Sequence, residues 1–351
     1  MRRTYCSVIV GVAGLAMTVI AATSKPDPEM KTVLDALASL GGKPIETLSP
    51  EEARKQPAPA DAVKKVLDGQ GKSTSPQPVG SVDNRSIPGP GGQIPIRIYW
   101  PDGEGPFPVV FYIHGGGWVI ANLVTYDSSA RALTNAAQAV VVSTHYRQAP
   151  EHKYPAAHDD VFAAYQWTVK NAQSLKGDPS RIAVAGESAG GNMAAVVSIR
   201  ARDQKMALPV HQVLIYPVAG TDMNTESYQE NANAKPLNKP MMAWFAKHYL
   251  GDAAMNGNLE INLAARKDLK GLPATTIVTA DIDPLRSDGQ MLAKALQQAG
   301  VAVTSRNFAG SAHEFFGMGA VVPDAKEAVG FTAGDLRKAF ARTKSIDKPA
   351  R

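Results

Sequence analysis

From about Val79 onward the chain repeats one pattern, a short apolar run rich in β-branched residues followed by a stretch with helical spacing. Seven runs stand out: Ile94 to Tyr99, Val109 to Ile113, Ala139 to Ser143, Arg181 to Ala185, Val210 to Tyr216, Thr275 to Ala280 and Val301 to Phe308. Most are apolar throughout, as in strands buried on both faces of a sheet. Helical patterns at Asp160 to Asn171, Ala189 to Asp203 and Ser287 to Ala299 lie between several of them. The alternation predicts an α/β fold with a mostly parallel central sheet and helices on both faces. In open sheets of this kind, sites form beyond the carboxyl ends of the strands. Chemistry is to be sought where those runs end.

The flanking segments read differently. Asp27 is placed to cap a helix with Pro28 in its first turn, and Met30, Val33, Leu34, Leu37 and Leu40 share one face until Gly41 and Gly42 stop it. Ser49 to Glu52 reads as a capping box that opens a second short helix. Pro57, Pro59 and the Gly/Ser/Pro-rich stretch from Gly69 to Gly80 suggest loose connections. Residues 25–86 are therefore expected to be an N-terminal helical cap segment, and residues 87–351 the main domain. A polar stretch around 221–270, interrupted by Pro236 and Pro240, is expected as a second cap insertion. Arg2 and Arg3 precede an apolar run from Val8 to Ile20, with Val19/Ala21 or Ile20/Ala22 placed for peptidase recognition. Residues 1–24 thus read as a signal peptide, and the protein is expected to be periplasmic or secreted. The run is shorter than the roughly 20 residues that span a bilayer, so no stable membrane insertion is expected after cleavage. Cleavage would remove Cys6, the only cysteine, and with it any thiol nucleophile or thiolate ligand. Losing Arg2 and Arg3 takes the formal net charge from +5 to +3, and no basic run with interleaved aromatics points to nucleic acid.

Four signals carry the chemistry. Gly186-Glu187-Ser188-Ala189-Gly190 follows a strand signal and precedes a helix signal, the context in which GxSxG becomes a nucleophile elbow. His114-Gly115-Gly116-Gly117 directly follows another strand, and backbone N–H groups in such a loop can stabilise the oxyanion of acyl transfer. It is no phosphate loop, since no Gly-Lys-Ser/Thr follows, and Ile120 stands where a dinucleotide fingerprint needs its third glycine. "TADIDPL" places Asp281 and Asp283 at a strand end, with Asp222 as a more distant rival for the acid that would orient an imidazole. His313, in "GSAHEFF", is the histidine placed at a strand end after the acid. The order Ser188, Asp283, His313 is the chain order of α/β-hydrolases. His145, His152 and His158 with Asp159 and Asp160 offer a competing metal cluster, but no short ligand pair such as HExxH accompanies them.

With "FYIHGGGWVIAN", "YRQAPEHKYPAAHDD", "GESAGGNMAA", "LIYPV", "DPLRSDG", "AGVAV" and "HEFF" together, the chain resembles the hormone-sensitive-lipase-like (bacterial family IV) esterases of the α/β-hydrolase superfamily from about Arg97 to the C-terminus. The resemblance implies an α/β-hydrolase fold with a helical cap, and a catalytic triad of Ser188, Asp283 and His313. It implies an oxyanion hole from the backbone amides of Gly115, Gly116 and Ala189, prefers Asp283 over Asp281, and makes the histidine-rich stretch structural. It further implies a serine carboxylesterase that hydrolyses short to medium chain acyl esters, takes a small-molecule ester as its partner, and needs no metal and no cofactor. Trp118, Glu187, Trp244 and Phe245 are expected as pocket residues. The sequence departs from the family pattern at Glu187, where Asp is usual, at Ala121, where Gly is common, and at Glu314, where a small residue often follows the histidine. Two rivals share the fold: the same triad acting on an amide, carbamate or lactone, and a non-catalytic small-molecule receptor of the plant gibberellin-receptor kind, which lacks the histidine. The oligomeric state is not legible.

Overall fold

The computed structural model describes residues 24–251 and 257–346. Residues 1–23, all of the expected leader but its last residue and including Cys6, lie outside them. Eight strands form one sheet in the order β1-β2-β4-β3-β5-β6-β7-β8. These are β1 (Ser81–Gly89), β2 (Gly92–Trp100), β3 (Phe107–Ile113), β4 (Val140–Thr144), β5 (Gly177–Glu187), β6 (Gln212–Ile215), β7 (Thr275–Ile282) and β8 (Val303–Ala312). β1 pairs with β2 and β2 with β4 antiparallel, and every other pair is parallel. All seven expected runs lie in or overlap strands. The eighth strand, β1, corrects the expected boundary at residue 86, because residues 81–86 pair with β2 and are not part of a helical segment.

Two hydrophobic clusters lie on the two faces of this sheet, which explains the apolar runs without alternation. The first joins Ile98, Phe111, Ile113, Val142 and Val184 to α5 (Ala156–Asn171), α6 (Ala189–Asp203), α8 (Lys239–Leu250) and α9 (Arg286–Gln298). The second joins Val110, Tyr112, Val141, Ala185 and Val278 to α1 (Pro28–Ala38), α3 (Pro59–Gly69), α4 (Asp127–Ala137) and α10 (Pro323–Ile346). Burying a side chain such as Val110 or Phe111 completely is worth about 1.5–3 kcal/mol, so these inner strands anchor the sheet.

The N-terminal segment departs from expectation in detail. In α1 Met30 and Val33 are buried and Leu34, Leu37 and Leu40 pack beside them, as their spacing predicts. Asp27 makes no side-chain cap; its backbone N–H instead bonds the Gly310 carbonyl of β8 at 3.1 Å. The capping box at α2 (Pro50–Ala53) forms as expected, with the Ser49 N–H donating to Glu52 at 3.1 Å and the Glu52 N–H donating to the Ser49 hydroxyl at 3.3 Å. The stretch after Pro57 is no loose connection up to Gly69. Pro59 opens α3, whose Ala62, Val63, Val66 and Leu67 are buried in the second cluster. Residues 45–48 meet α8 through Asn238 donating to Glu46 at 3.2 Å and the Trp244 indole donating to the Leu48 carbonyl at 3.2 Å. Parts of the two segments expected as cap therefore touch each other.

Candidate active site

β5 ends at Glu187 and α6 begins at Ala189, so the whole reversal from strand to helix falls on Ser188. Its backbone adopts φ 56° and ψ −119°, a region costly for a residue with a Cβ. Three bonds hold it there. The Ser188 N–H donates to Ile215 O at 2.9 Å, and its carbonyl accepts from the N–H groups of Asn192 at 3.1 Å and Val218 at 3.2 Å. The helix must also pass close under β3: a Cβ at Gly190 would run into the carbonyl oxygens of Ile113 and His114. Glycine is required there by contact, independent of any φ preference.

The acid follows the end of β7 and the base follows the end of β8. His313 Nδ1 lies 2.6 Å from Asp283 Oδ2, and its Nε2 lies 3.0 Å from Ser188 Oγ. All three side chains are nearly or wholly buried. Asp283 Oδ1 also accepts the Leu285 N–H at 2.8 Å, which fixes the carboxylate plane against the ring. The two rivals are occupied elsewhere, since Asp281 pairs with Arg286 at 3.2 Å and Asp222 accepts the Asn224 N–H at 2.8 Å. Burial disfavours the imidazolium of His313, but the Asp283 carboxylate, seconded by Glu314 and Glu187, outweighs it and raises the pKa above its ordinary value. That is the electrostatic setting of a base that must hold a proton transiently.

The glycine loop leaves the end of β3 beside this group. Gly116 has φ 95°, and a Cβ added to Gly115 would lie 3.1 Å from Ser188 Cβ, so the loop backbone rests against the serine. Among the loop and turn bonds of the described residues, none uses the N–H of Gly115, Gly116 or Ala189 as donor. The first turn of α6 adds its positive end at the same place. Gly115 thus lies against Ser188, and Ala189 follows the serine as the first residue of α6. The loop is braced from behind by Tyr146, whose hydroxyl donates to Gly115 O at 2.8 Å, and by Arg54, whose guanidinium donates to Val119 O and Ala149 O at 2.8 Å each.

The expected pocket residues divide. Phe245 packs its ring on Gly117, where a Cβ would collide with it, and so backs the glycine loop. Trp118 is buried and stacks on Tyr249 at 4.7 Å, and Trp244 is buried among Phe245, His248 and Leu48; both are packing residues. Glu187 is a correction. It is fully buried beneath Ser188, on the opposite face of the sheet from Phe245, and its carboxyl accepts the hydroxyls of Tyr112 and Tyr216. Burial, with Glu314 nearby, pushes its pKa up to about 7. Sequence reasoning missed Tyr126, whose hydroxyl donates to Glu314 at 2.5 Å, and Arg54. The departure at Glu314 was the signal that a further group stands beside the base.

The histidines weighed as metal ligands are engaged separately. His158 lies between Tyr249 at 2.6 Å and Asn192 at 3.0 Å, with burial lowering its pKa to about 4, while His145 contacts His114 at 2.9 Å. Asp160 is paired with Arg147 and Asp159 with Arg200.

A description of the α/β-hydrolase fold matches residues 110–317. The chain is 45% identical over 251 residues to the carboxylesterase NlhH of Mycobacterium tuberculosis, covering 70% of this chain and 79% of that one. It is 34% identical over 256 residues to an arylesterase of Saccharolobus solfataricus, covering 72% and 83%. Among solved structures it superposes on a hyperthermophilic esterase of Pyrobaculum calidifontis with a TM-score of 0.78 and 34% identity, covering 90% and 98%. With this sheet and these relatives, the chain belongs to the hormone-sensitive-lipase-like esterases of the α/β-hydrolase superfamily.

Proposed function

We propose that the protein is a serine carboxylesterase in which Ser188 is the nucleophile, His313 the general base and acid, and Asp283 the group that orients the ring. The observation that carries the assignment is the continuous chain from Asp283 through His313 to Ser188, with contacts of 2.6 and 3.0 Å. His313 Nε2 takes the Ser188 proton as Oγ attacks the ester carbonyl, and Asp283 supports the imidazolium that forms. The N–H groups of Gly115, Gly116 and Ala189 receive the oxyanion, each worth about 10²- to 10³-fold in rate. His313 then protonates the leaving alcohol. Water repeats the sequence in reverse and releases the acid. Short to medium acyl chains are the expected substrates, with residues 45–48, α8 and Phe245 closing the approach to Ser188.

Ser188→Ala tests the reading on p-nitrophenyl acetate and butyrate. A loss of about 10⁶-fold in turnover is expected if the three groups act as a unit, and unchanged turnover would sink the assignment. Export is part of the proposal and rests on the leader: mass spectrometry of the mature protein should find Arg2 and Arg3 gone, and an intact N-terminus would contradict it.

A further inference from the structure

Asp283 occupies one nitrogen of His313 and Ser188 the other, yet a third oxygen faces the ring. Glu314 Oε1 lies 3.8 Å from Nε2, the nitrogen that moves protons. Glu314 itself is held at φ 70°, an uncommon setting for a residue with a Cβ, and its side chain is one-fifth exposed. Tyr126 fixes the carboxyl by donating to the same oxygen at 2.5 Å. The Tyr126 hydroxyl also abuts Gly115, the glycine whose own position against Ser188 closes the loop over the nucleophile. Carboxyl, phenol, glycine loop and reactive nitrogen therefore converge on one spot. None of the steps assigned above uses the first two.

A separation of 3.8 Å is too long for a direct hydrogen bond. It is short enough for one water oxygen to stand about 2.8 Å from both atoms. We propose that Glu314, held by Tyr126, is the residue that orients the deacylating water at His313 Nε2. This rests on Ser188 carrying the acyl group. In that step one O–H of the water gives its proton to Nε2 while the oxygen bonds to the acyl carbon. The second O–H donates to Glu314 and stays intact. Collapse of the tetrahedral intermediate then breaks the bond from the acyl carbon to Ser188 Oγ, which takes the proton back from Nε2. An alcohol brings a single O–H, spent on His313, and leaves Glu314 nothing to accept. Glu314 thus favours water over alcohols as the second substrate and keeps the enzyme a hydrolase rather than an acyltransferase.

The test separates the two half-reactions. Stopped-flow bursts with p-nitrophenyl acetate give acylation and deacylation rates, and product analysis in methanol–water mixtures gives the ratio of methanolysis to hydrolysis. In Glu314→Ala, acylation loses only the support that Glu314 lends to His313, while deacylation by water should slow about tenfold further and the methanolysis ratio should rise by a similar factor, as expected for one lost charge-assisted hydrogen bond. Glu314→Gln keeps an acceptor oxygen without the charge and should fall between. Tyr126→Phe releases the carboxyl and should shift the ratio less, in the same direction. If the alanine variant does not fold, these two carry the test. Equal slowing of acylation and deacylation, or an unchanged methanolysis ratio, overturns the proposal. A wild-type protein without any turnover would instead overturn the esterase reading.

Discussion

Ser188 shows how far a single residue can be read from its neighbours. The glycines on either side and the strand before it announce a strained turn, and the structure places φ at 56° there. Asp283 is harder to read, because Asp281 stands two positions away on the same strand end; the structure separates them, with Asp283 2.6 Å from His313 and Asp281 turned to Arg286. The two aspartates make a matched experiment. Asp283→Asn should lower kcat on p-nitrophenyl butyrate by about 10⁴-fold, since the wrong ring tautomer is then favoured. Asp281→Asn should leave kcat essentially unchanged, and the reverse ranking would move the acid to Asp281. Glu187 was legible but misread. Strand alternation carries Ala183 and Ala185 on one face, and Glu187 continues their row toward Tyr112 and Tyr216, away from the face that holds Phe245. Position next to the nucleophile does not put a side chain in the pocket when the period is two.

At the scale of elements, the parallel strands were legible because they are buried on both faces and hence apolar. β1 was not, since it lies at the sheet edge with only Ile87 buried and carries Pro88, which an edge strand tolerates. The helix α3 was hidden by prolines that read as breakers; Pro59 occupies the first turn, where its missing N–H costs nothing. The short helix α2 has a purpose that its four residues do not advertise. Arg54 at its end grips Glu151 through two bonds of 2.7 and 2.8 Å, and reaches past it to the carbonyls of Val119 and Ala149. Beside that guanidinium the Glu151 carboxyl falls to about 2. Arg54→Ala should therefore let the glycine loop shift, lowering kcat between about tenfold and about 10²-fold even where thermal scans show the fold retained. Arg54→Lys should not restore the rate, because an ammonium cannot span three acceptors in one plane. Unchanged kcat in Arg54→Ala would mean the loop is held by Tyr146 and by Gln148, whose amide donates to Ile120 O and Ala121 O at 2.7 and 2.9 Å.

Among the described residues, burial makes three interior carboxyls, Glu187, Asp288 and Glu314, reluctant to ionise. Burial pushes Glu187 and Asp288 up to about 7 each, against ordinary values of 4.5 and 3.8. The unfolded chain gives up these protons first as pH rises, so the stability they contribute is complete below pH 4 and drains away up to about pH 7. Paired unfolding titrations in urea isolate one of them. Between pH 4.5 and 7.5 the wild type should lose roughly 3 kcal/mol relative to Glu187→Gln, and a constant difference would show that Glu187 titrates alike in both states.

Ser188 and His313 stand 125 residues apart, and each is delivered by the end of a different strand in one parallel ladder. A slip of one residue anywhere between β5 and β8 would turn the delivered side chains to the opposite face. On the mechanism proposed above, labelling of Ser188 is therefore a census of correctly registered sheets: the fraction of chains that a fluorophosphonate modifies should count native molecules, however compact or helical the remainder.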